Sequence, residues 1–308
     1  MTASSEQFWL TLPLGRGVKL LTRDANGLVA FDKPAGTLSH PNSAEDEPRA
    51  LLTAHYSLEG ECYQWPSFAE PPAGRPSPAE PFAGRTSFAE ASAGRPGEPR
   101  ALLTAHYSLE SECYQWKTAE GDAMATHRLW LLNRLDSATS GVILAASGEE
   151  LAREVRAQFK RRQIRKVYHA LVFGLPAVPA QVWRDRLAVT KQAGRVRTSG
   201  AGHIPCESQM KLLQQRAAPP PIALLQLEPH TGRSHQLRVQ CALRRLPIVG
   251  DATYGDFARN REFAKRTGLK RLFLHSWETN FDYEFGGRPF HFAARAPLPG
   301  EFETVLRH

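Results

Sequence analysis

Residues 129–146 read Leu129-Trp130-Leu131-Leu132-Asn133-Arg134-Leu135-Asp136-Ser137-Ala138-Thr139-Ser140-Gly141-Val142-Ile143-Leu144-Ala145-Ala146. An apolar stretch, a polar loop and a second apolar stretch follow one another. Gly141 to Ala146 has the length and content of a buried strand. A polar loop held between two apolar anchors is a place where a carboxylate can be fixed. An Asp buried beside an Arg stays ionised, because the opposite charge favours its charged form. The same loop also reads as a capped turn, with Asp136 bonding the amides of Ala138 or Thr139.

Outward from this loop, strand and helix signals alternate. Leu28-Val29-Ala30-Phe31 reads as a short strand, stopped by the turn Lys33-Pro34-Ala35-Gly36. Glu149 to Lys160 reads as a helix, with Leu151, Ala152, Val155 and Phe159 on one face. Lys166 to Phe173 is a further strand. Ala223 to Leu227 and Ser234 to Gln240 read as a strand pair joined across Pro229-His230-Thr231-Gly232, and Leu272 to Trp277 is a late strand. Many strands with few helices predict an α+β domain around a mixed, mostly antiparallel central sheet with flanking helices.

The chain has 308 residues, enough for one large domain or two small ones. Its 39 Lys and Arg against 31 Asp and Glu give a formal charge of +8, which favours polyanionic partners. The charge is concentrated between residues 153 and 166. Arg153, Arg156, Lys160, Arg161, Arg162, Arg165 and Lys166 there face a single acid, Glu154. No run approaches the roughly 20 apolar residues of a membrane span. Met1 to Gln7 lacks the apolar core of a secretion signal. Cys62, Cys113, Cys206 and Cys241 form no Cys-x-x-Cys pair, so neither a zinc site nor a disulfide framework is read, and a cytoplasmic setting is expected.

One segment is duplicated. Glu47 to Trp65 recurs as Glu98 to Trp116, with only Gly60 changed to Ser111. Between the copies, Ser67–Pro76, Ser77–Thr86 and Ser87–Pro96 repeat the pattern Ser-x-Ala-Glu-x-x-Ala-Gly-Arg-x. Units so rich in Pro, Gly and Ala bury too little apolar surface to offset their ordering entropy. Pro66 to Gly97 is therefore expected to be a disordered surface insertion within a region of about 47–97. Only one copy need occupy the fold; 98–116 is slightly favoured because it runs directly into the loop at 133–141, while 47–65 is equally continuous with the upstream strand. Residues 1–17 read as an N-terminal extension and 18–308 as the domain itself.

Three further constellations could carry chemistry. In Thr231-Gly232-Arg233-Ser234-His235-Gln236-Leu237-Arg238-Val239, strand alternation puts Ser234, Gln236, Arg238 and Gln240 on one face and His235, Leu237 and Val239 on the other. Arg238 could then pair with Asp136, or form a structural ion pair. His235 reads as a packed histidine rather than a base. In Lys166-Val167-Tyr168-His169-Ala170, Tyr168 could stack on a base or move a proton, or pack at the rim of the core. In Asp32-Lys33-Pro34-Ala35-Gly36, Lys33 reads as a solvated side chain, with phosphate contact as the alternative.

Taken in chain order, these segments resemble the RluA-type pseudouridine synthase family. The resemblance is carried by Phe31-Asp32-Lys33-Pro34-Ala35-Gly36, Arg134-Leu135-Asp136 with Thr139-Ser140-Gly141, Lys166-Val167-Tyr168-His169-Ala170, and Thr231-Gly232-Arg233-Ser234-His235-Gln236-Leu237-Arg238. Pro247-Ile248-Val249-Gly250-Asp251, Tyr254-Gly255, Leu272-Phe273-Leu274-His275 and Ala296-Pro297-Leu298-Pro299 extend it over about residues 18 to 302. The resemblance implies a pseudouridine synthase fold with a central active-site cleft, acting on uridines of rRNA or tRNA. It implies breakage of the N1–C1′ bond, rotation of the uracil and bonding of C5 to C1′, without cofactor or metal.

Residue by residue, the resemblance implies that Asp136 is the catalytic aspartate and Arg238 the basic residue that pairs with it. Tyr168 would pack on the base and be linked to proton removal at C5. Arg134 would fill the space left by a flipped nucleotide, and Arg233, Lys160, Arg161, Arg162, Arg165 and Lys166 would contact RNA. Asn133 departs from the family's usual His, and Ser137-Ala138 from its usual charged pair. No obligate protein partner and no separate S4-type RNA-binding domain is read. Two other readings stand beside this one. A glycosidic-bond hydrolase would ordinarily need a second acid, and none is prominent near Asp136 in sequence. An RNA-binding factor without catalysis would not need Asp136, Tyr168 and Arg238 together.

Overall fold

Alternate side chains of one strand set the two faces of the sheet. Ala170 and Val172 point into one apolar cluster, while Leu171 and Phe173 point into another. The computed structural model that shows this describes residues 8–66, 104–108, 113–117, 123–124, 126–192 and 195–307. The strands up to the loop at 133–139 are β1 (Lys19–Arg23), β2 (Leu28–Lys33), β3 (His55–Ser57), β4 (Cys62–Pro66), β5 (Thr104–Ser108), β6 (Cys113–Lys117), β7 (Ala123–Met124) and β8 (Thr126–Leu131). Then come β9 (Ser140–Ala146), α1 (Glu149–Arg161), β10 (Arg165–Phe173), β11 (Ala180–Gln192), β12 (Arg195–Arg216) and β13 (Ile222–Pro229). The chain closes with α2 (Gln236–Leu243), α3 (Phe257–Thr267), β14 (Leu274–Phe285), β15 (Arg288–Arg295) and α4 (Gly300–Arg307).

Two compact units divide the chain: Met1–Pro13 with Ala54–Arg128, and Leu14–Thr53 with Leu129–His308. In the larger unit the sheet runs β11-β12-β13-β10-β14-β9, with β15 on β14 and β1 on β2. Strand β9 pairs with β2 along its length, and with β8 at Ala145 and Ala146. Its pairing with β14, at Ser140 and Gly141, is parallel; the other pairings between the described strands of this unit are antiparallel, and one isolated bridge, Leu38 to Ala50, is parallel. This is the mixed, mostly antiparallel sheet expected of the sequence. Helix α2 packs Leu237 and Cys241 on the Ala170 face, while α3 and α4 pack Phe263, Phe302 and Val305 on the Leu171 face. No helix among the described residues is long and apolar enough to cross a membrane.

Most sequence-read elements sit where expected, and one does not. Ser234–Gln240, read as a strand, is the turn into α2 and the first residues of that helix. Its period-two pattern misleads because all residues from Gln236 to Cys241 are buried. A helix buried all round has no amphipathic stripe to betray it. Gln236 and Gln240, one turn apart, are satisfied inside the fold: Gln236 Nε2 donates to Ser208 Oγ at 2.9 Å and Gln240 Nε2 to Asp185 Oδ2 at 2.7 Å.

The two copies of the duplicated segment form hairpins in the same register. His55 pairs with Gln64 and Ser57 with Cys62, as His106 pairs with Gln115 and Ser108 with Cys113. The first copy supplies core to the larger unit, where Ala50, Leu51 and Leu52 are fully buried; the matching residues 101–103 of the second copy lie outside the described residues. Leu51 N donates to Leu38 O, and Leu51 O accepts from Gly15 N, both at 2.8 Å. Pro66, placed at the start of the insertion, ends strand β4; residues 67–97, expected to be disordered, lie outside the described residues.

Burial leaves two histidines of the larger unit neutral. His275 on β14 is fully buried, contacts Ser140 Oγ through Nδ1 at 2.9 Å, and is pushed down to about 4 by burial. His169 on β10 stacks on Trp277 and is pushed down to about 4 for the same reason. Between pH 6.5 and 4 the unfolded chain takes up protons that the folded chain refuses, so stability falls as pH falls through this window. A shift of this size corresponds to about 3 kcal/mol per histidine. Urea unfolding at pH 7 and pH 4.5 should show the loss, and His275→Gln should flatten the slope; equal midpoints at both values would contradict it.

Candidate active site

The polar loop 133–139 joins β8 to β9 and is held by contacts to its backbone. Ser39 Oγ accepts from Leu135 N at 2.9 Å and donates to Leu135 O at 2.8 Å. Gly36 N donates to Ser137 O at 2.7 Å. Lys33, expected to be solvated, is instead fully buried, and its Nζ donates to Pro34 O, Thr37 O and Ser137 O at 3.1, 2.7 and 3.1 Å. The Pro-Gly turn after β2 is therefore a clamp on the Asp136 loop. Burial pulls the Lys33 ammonium down to about 7, against the pull of the Asp136 charge. At the far end of the loop Gly141 adopts φ 109°, and a Cβ there would lie 2.1 Å from Ser276 O. Only glycine lets β9 approach β14 this closely.

Asp136, Tyr168 and Arg238 line one cleft of about 760 Å³, together with Arg134, Arg233 and Lys166. The Asp136 side chain is 34% exposed, and its Oδ2 accepts from Arg238 Nη1 at 2.9 Å. Arg238 is 9% exposed. Its Nε and Nη2 form a fork on Asp251, both at 2.8 Å, and Asp251 is 1% exposed. Asp251 Oδ1 also accepts from Thr253 N and Tyr254 N, at 2.8 and 3.0 Å. Burial alone would raise the Asp251 carboxyl, but Arg238 and these amides outweigh it and hold it below the ordinary range. Burial likewise works against the Arg238 cation, and Asp251 and Asp136 together reverse the effect. One guanidinium thus bridges a deep carboxylate, which anchors it, and a partly open one, which faces the cleft.

Tyr168 lies on β10 opposite Ser276 of β14 and lines the cleft beside Asp136. Burial pushes the phenol up to about 12, so it stays protonated at neutral pH. Lys166 lines the same wall, with its Nζ 6.0 Å from the Phe159 ring centre, and burial lowers its pKa. His235, expected to pack on an apolar face, lines the cleft instead, with Nε2 3.5 Å from Asp136 Oδ2.

The basic cluster divides. Lys160 and Arg161 are exposed at the end of α1, and Arg162 lines a neighbouring groove with Arg184 and Arg186. Arg165 lies outside the cleft, between Glu228 at 2.8 Å and Glu278 at 3.0 Å, so two carboxylates already offset its charge. Asn133 Oδ1 accepts from Leu144 N at 2.7 Å, a local brace between loop and strand. Sequence reasoning gave no role to Asp251 or Tyr254. A signal existed for Asp251: it sits in a tight turn after Gly250, where φ is 75° and a Cβ would lie 1.8 Å from Arg271 O. An acid in so enclosed a turn needs a buried cation.

Comparison with known proteins identifies the family. The profile of the family described as RNA pseudouridylate synthase matches residues 27–243. The tRNA pseudouridine synthase C of Yersinia pestis is 34% identical over 187 residues, covering 58% of this chain and 72% of its own length. The ribosomal large subunit pseudouridine synthase C of Vibrio vulnificus is 32% identical over 179 residues, covering 58% and 55%. The solved structure of human RNA pseudouridylate synthase domain containing 4 aligns over 99% of this chain and 97% of its own with a TM-score of 0.55; at 20% identity it speaks for the fold alone. With a match over most of its length, the chain belongs to the RluA-type RNA pseudouridylate synthase family, a family of isomerases.

Proposed function

We propose that this chain isomerises uridines of tRNA or rRNA to pseudouridine through Asp136, using its own side chains and no cofactor. The observation that carries the reading is the partly open Asp136 carboxylate. Arg238 holds its Oδ2, while Oδ1 has no hydrogen-bond partner among the described residues. A flipped uridine presents its sugar to that oxygen. Asp136 acts there either as a nucleophile at C1′ or as a base at C2′. The N1–C1′ bond breaks, the uracil turns, C5 bonds to C1′, the C5 proton leaves and N1, freed from the sugar, takes up a proton, so substrate and product have the same composition. Arg238 offsets the charge on the carboxylate, and Tyr168 supports the base with its ring.

The curated relatives are named for both tRNA and the ribosomal large subunit, so both RNAs are carried as substrates. The exposed Lys160, Arg161 and Arg162, with Arg134, Arg233 and Lys166 at the cleft, supply phosphate contacts that weaken with salt. Pseudouridine maps of tRNA and rRNA from cells with and without this chain would identify the target. Loss of no pseudouridine from either RNA would overturn the substrate assignment. A hydrolase would need a second carboxylate free to activate water. Asp251 is nearby, but its burial and its fork with Arg238 keep it from water.

Because the phenol of Tyr168 stays protonated, its hydroxyl can relay a proton without carrying a charge. Tyr168→Phe keeps the ring and removes the relay. The expected result is RNA affinity near wild type, with release of label from 5-tritiated uridine slowed about a hundredfold or more. Unchanged release would confine Tyr168 to stacking.

A further inference from the structure

We propose that His235 is a positioning residue for Asp136, locked by Tyr254 and Thr198 in the tautomer whose Nε2–H faces the carboxylate. The inference rests on the reading of Asp136 as the catalytic group. Thr198 N donates to the Tyr254 hydroxyl oxygen at 2.9 Å, and the same oxygen lies 2.8 Å from His235 Nδ1. With one donor already on that oxygen, the hydroxyl proton is the one left to give, and Nδ1 is its acceptor. The ring proton then sits on Nε2, which is 3.5 Å from Asp136 Oδ2. The other neutral tautomer would aim a lone pair at a carboxylate, which is repulsive. A separation of 3.5 Å is longer than a formed hydrogen bond, and catalytic contacts of this kind commonly tighten in the substrate complex.

The backbone supports the assignment. His235 is a left-handed residue, at φ 54° and ψ 16°, placed immediately before α2. Such a conformation is unfavourable for a side chain with a Cβ, and it clusters at functional sites. Thr198 Oγ1 donates to Ser234 O at 2.9 Å, so β12 holds both the ring, through Tyr254, and the peptide that carries it. The Arg238 guanidinium lies 5.1 Å from the centre of the Tyr254 ring, which ties the two braces together. Around the imidazole stand Asp136, Arg238, Asp251 and Tyr254; burial lowers its pKa, the Asp136 charge opposes this, and the neutral form prevails. Arg238 and His235 thus both approach Oδ2, and Oδ1 is left for the sugar.

The test uses the full chain and a substrate RNA in excess, at steady state. His235→Phe and Tyr254→Phe should each lower kcat about tenfold with KM little changed, the size expected for one hydrogen bond to a charged group. His235→Gln retains an N–H at similar reach and should recover most of that loss. His235→Asn tolerates the left-handed backbone but is too short, and should behave like the Phe variant. The ring ¹⁵N shifts of His235 should show a protonated Nε2 and a bare Nδ1 in the wild type, with that preference lost in Tyr254→Phe. Wild-type kcat in both His235→Phe and His235→Asn, a Gln variant no better than Asn, or a protonated Nδ1 would each overturn the proposal. Full turnover in Asp136→Asn would overturn the underlying reading as well, whereas those outcomes overturn this one alone.

Discussion

Asp136→Asn leaves the protein folded and able to bind RNA, and lowers turnover by at least about a thousandfold. The loop does not depend on the carboxylate for its shape. Ser39, Gly36 and Lys33 hold it through the backbone of residues 135 and 137. Nor does the substitution leave a buried charge stranded, because Arg238 keeps both bonds to Asp251. What is lost is the negative oxygen facing the sugar, which an amide cannot replace as nucleophile or base. Filter binding and single-turnover conversion on the same RNA separate the two effects. Parallel loss of affinity and rate would mean that Asp136 serves binding, and a rate within tenfold of wild type would remove it from the chemistry.

The second large effect is expected at Asp251. Asp251→Ala takes away both oxygens of the fork on a buried guanidinium, and the acceptor of the Thr253 and Tyr254 amides. Breaking such a pair from one side destabilises by about 3–5 kcal/mol, because the buried guanidinium then keeps only its one bond to the partly exposed Asp136. Any protein still folded should also turn over slowly, since Arg238 would be free to collapse onto Asp136. Urea unfolding measures the first effect and single-turnover rates the second. The double variant Asp251→Leu with Arg238→Met removes both charges and should recover most of the stability but none of the activity. A loss below about 1 kcal/mol in Asp251→Ala would mean that solvent or neighbouring groups already compensate Arg238.

These two carboxylates show how far the sequence could be read. Asp136 was legible because its loop lies between apolar stretches and its partners recur downstream in order. Strands β2, β9 and β10 were legible because they are short apolar runs bounded by turn residues. Helix α2 was not. Its polar residues are buried and paired with Ser208, Asp185 and Asp251, so polarity there reports hydrogen bonding rather than exposure. The same misreading turned His235 towards an apolar face, when a left-handed residue at the head of a helix sends it into the cleft. Lys33 escaped because three carbonyl acceptors, one of them Ser137 O, far away in sequence, are what make its burial tolerable. For Lys33, Gln236 and Gln240 a partner that makes burial tolerable lies far along the chain, where no local pattern can point to it.

Purified protein and an unmodified tRNA or rRNA transcript, with no added cofactor, followed by complete digestion and mass analysis of the nucleosides, test the assignment most directly. The expected result is pseudouridine appearing in place of uridine, no free uracil, and neither product with Asp136→Asn. Free uracil from the wild-type protein, or pseudouridine formed equally by the Asn variant, would contradict it.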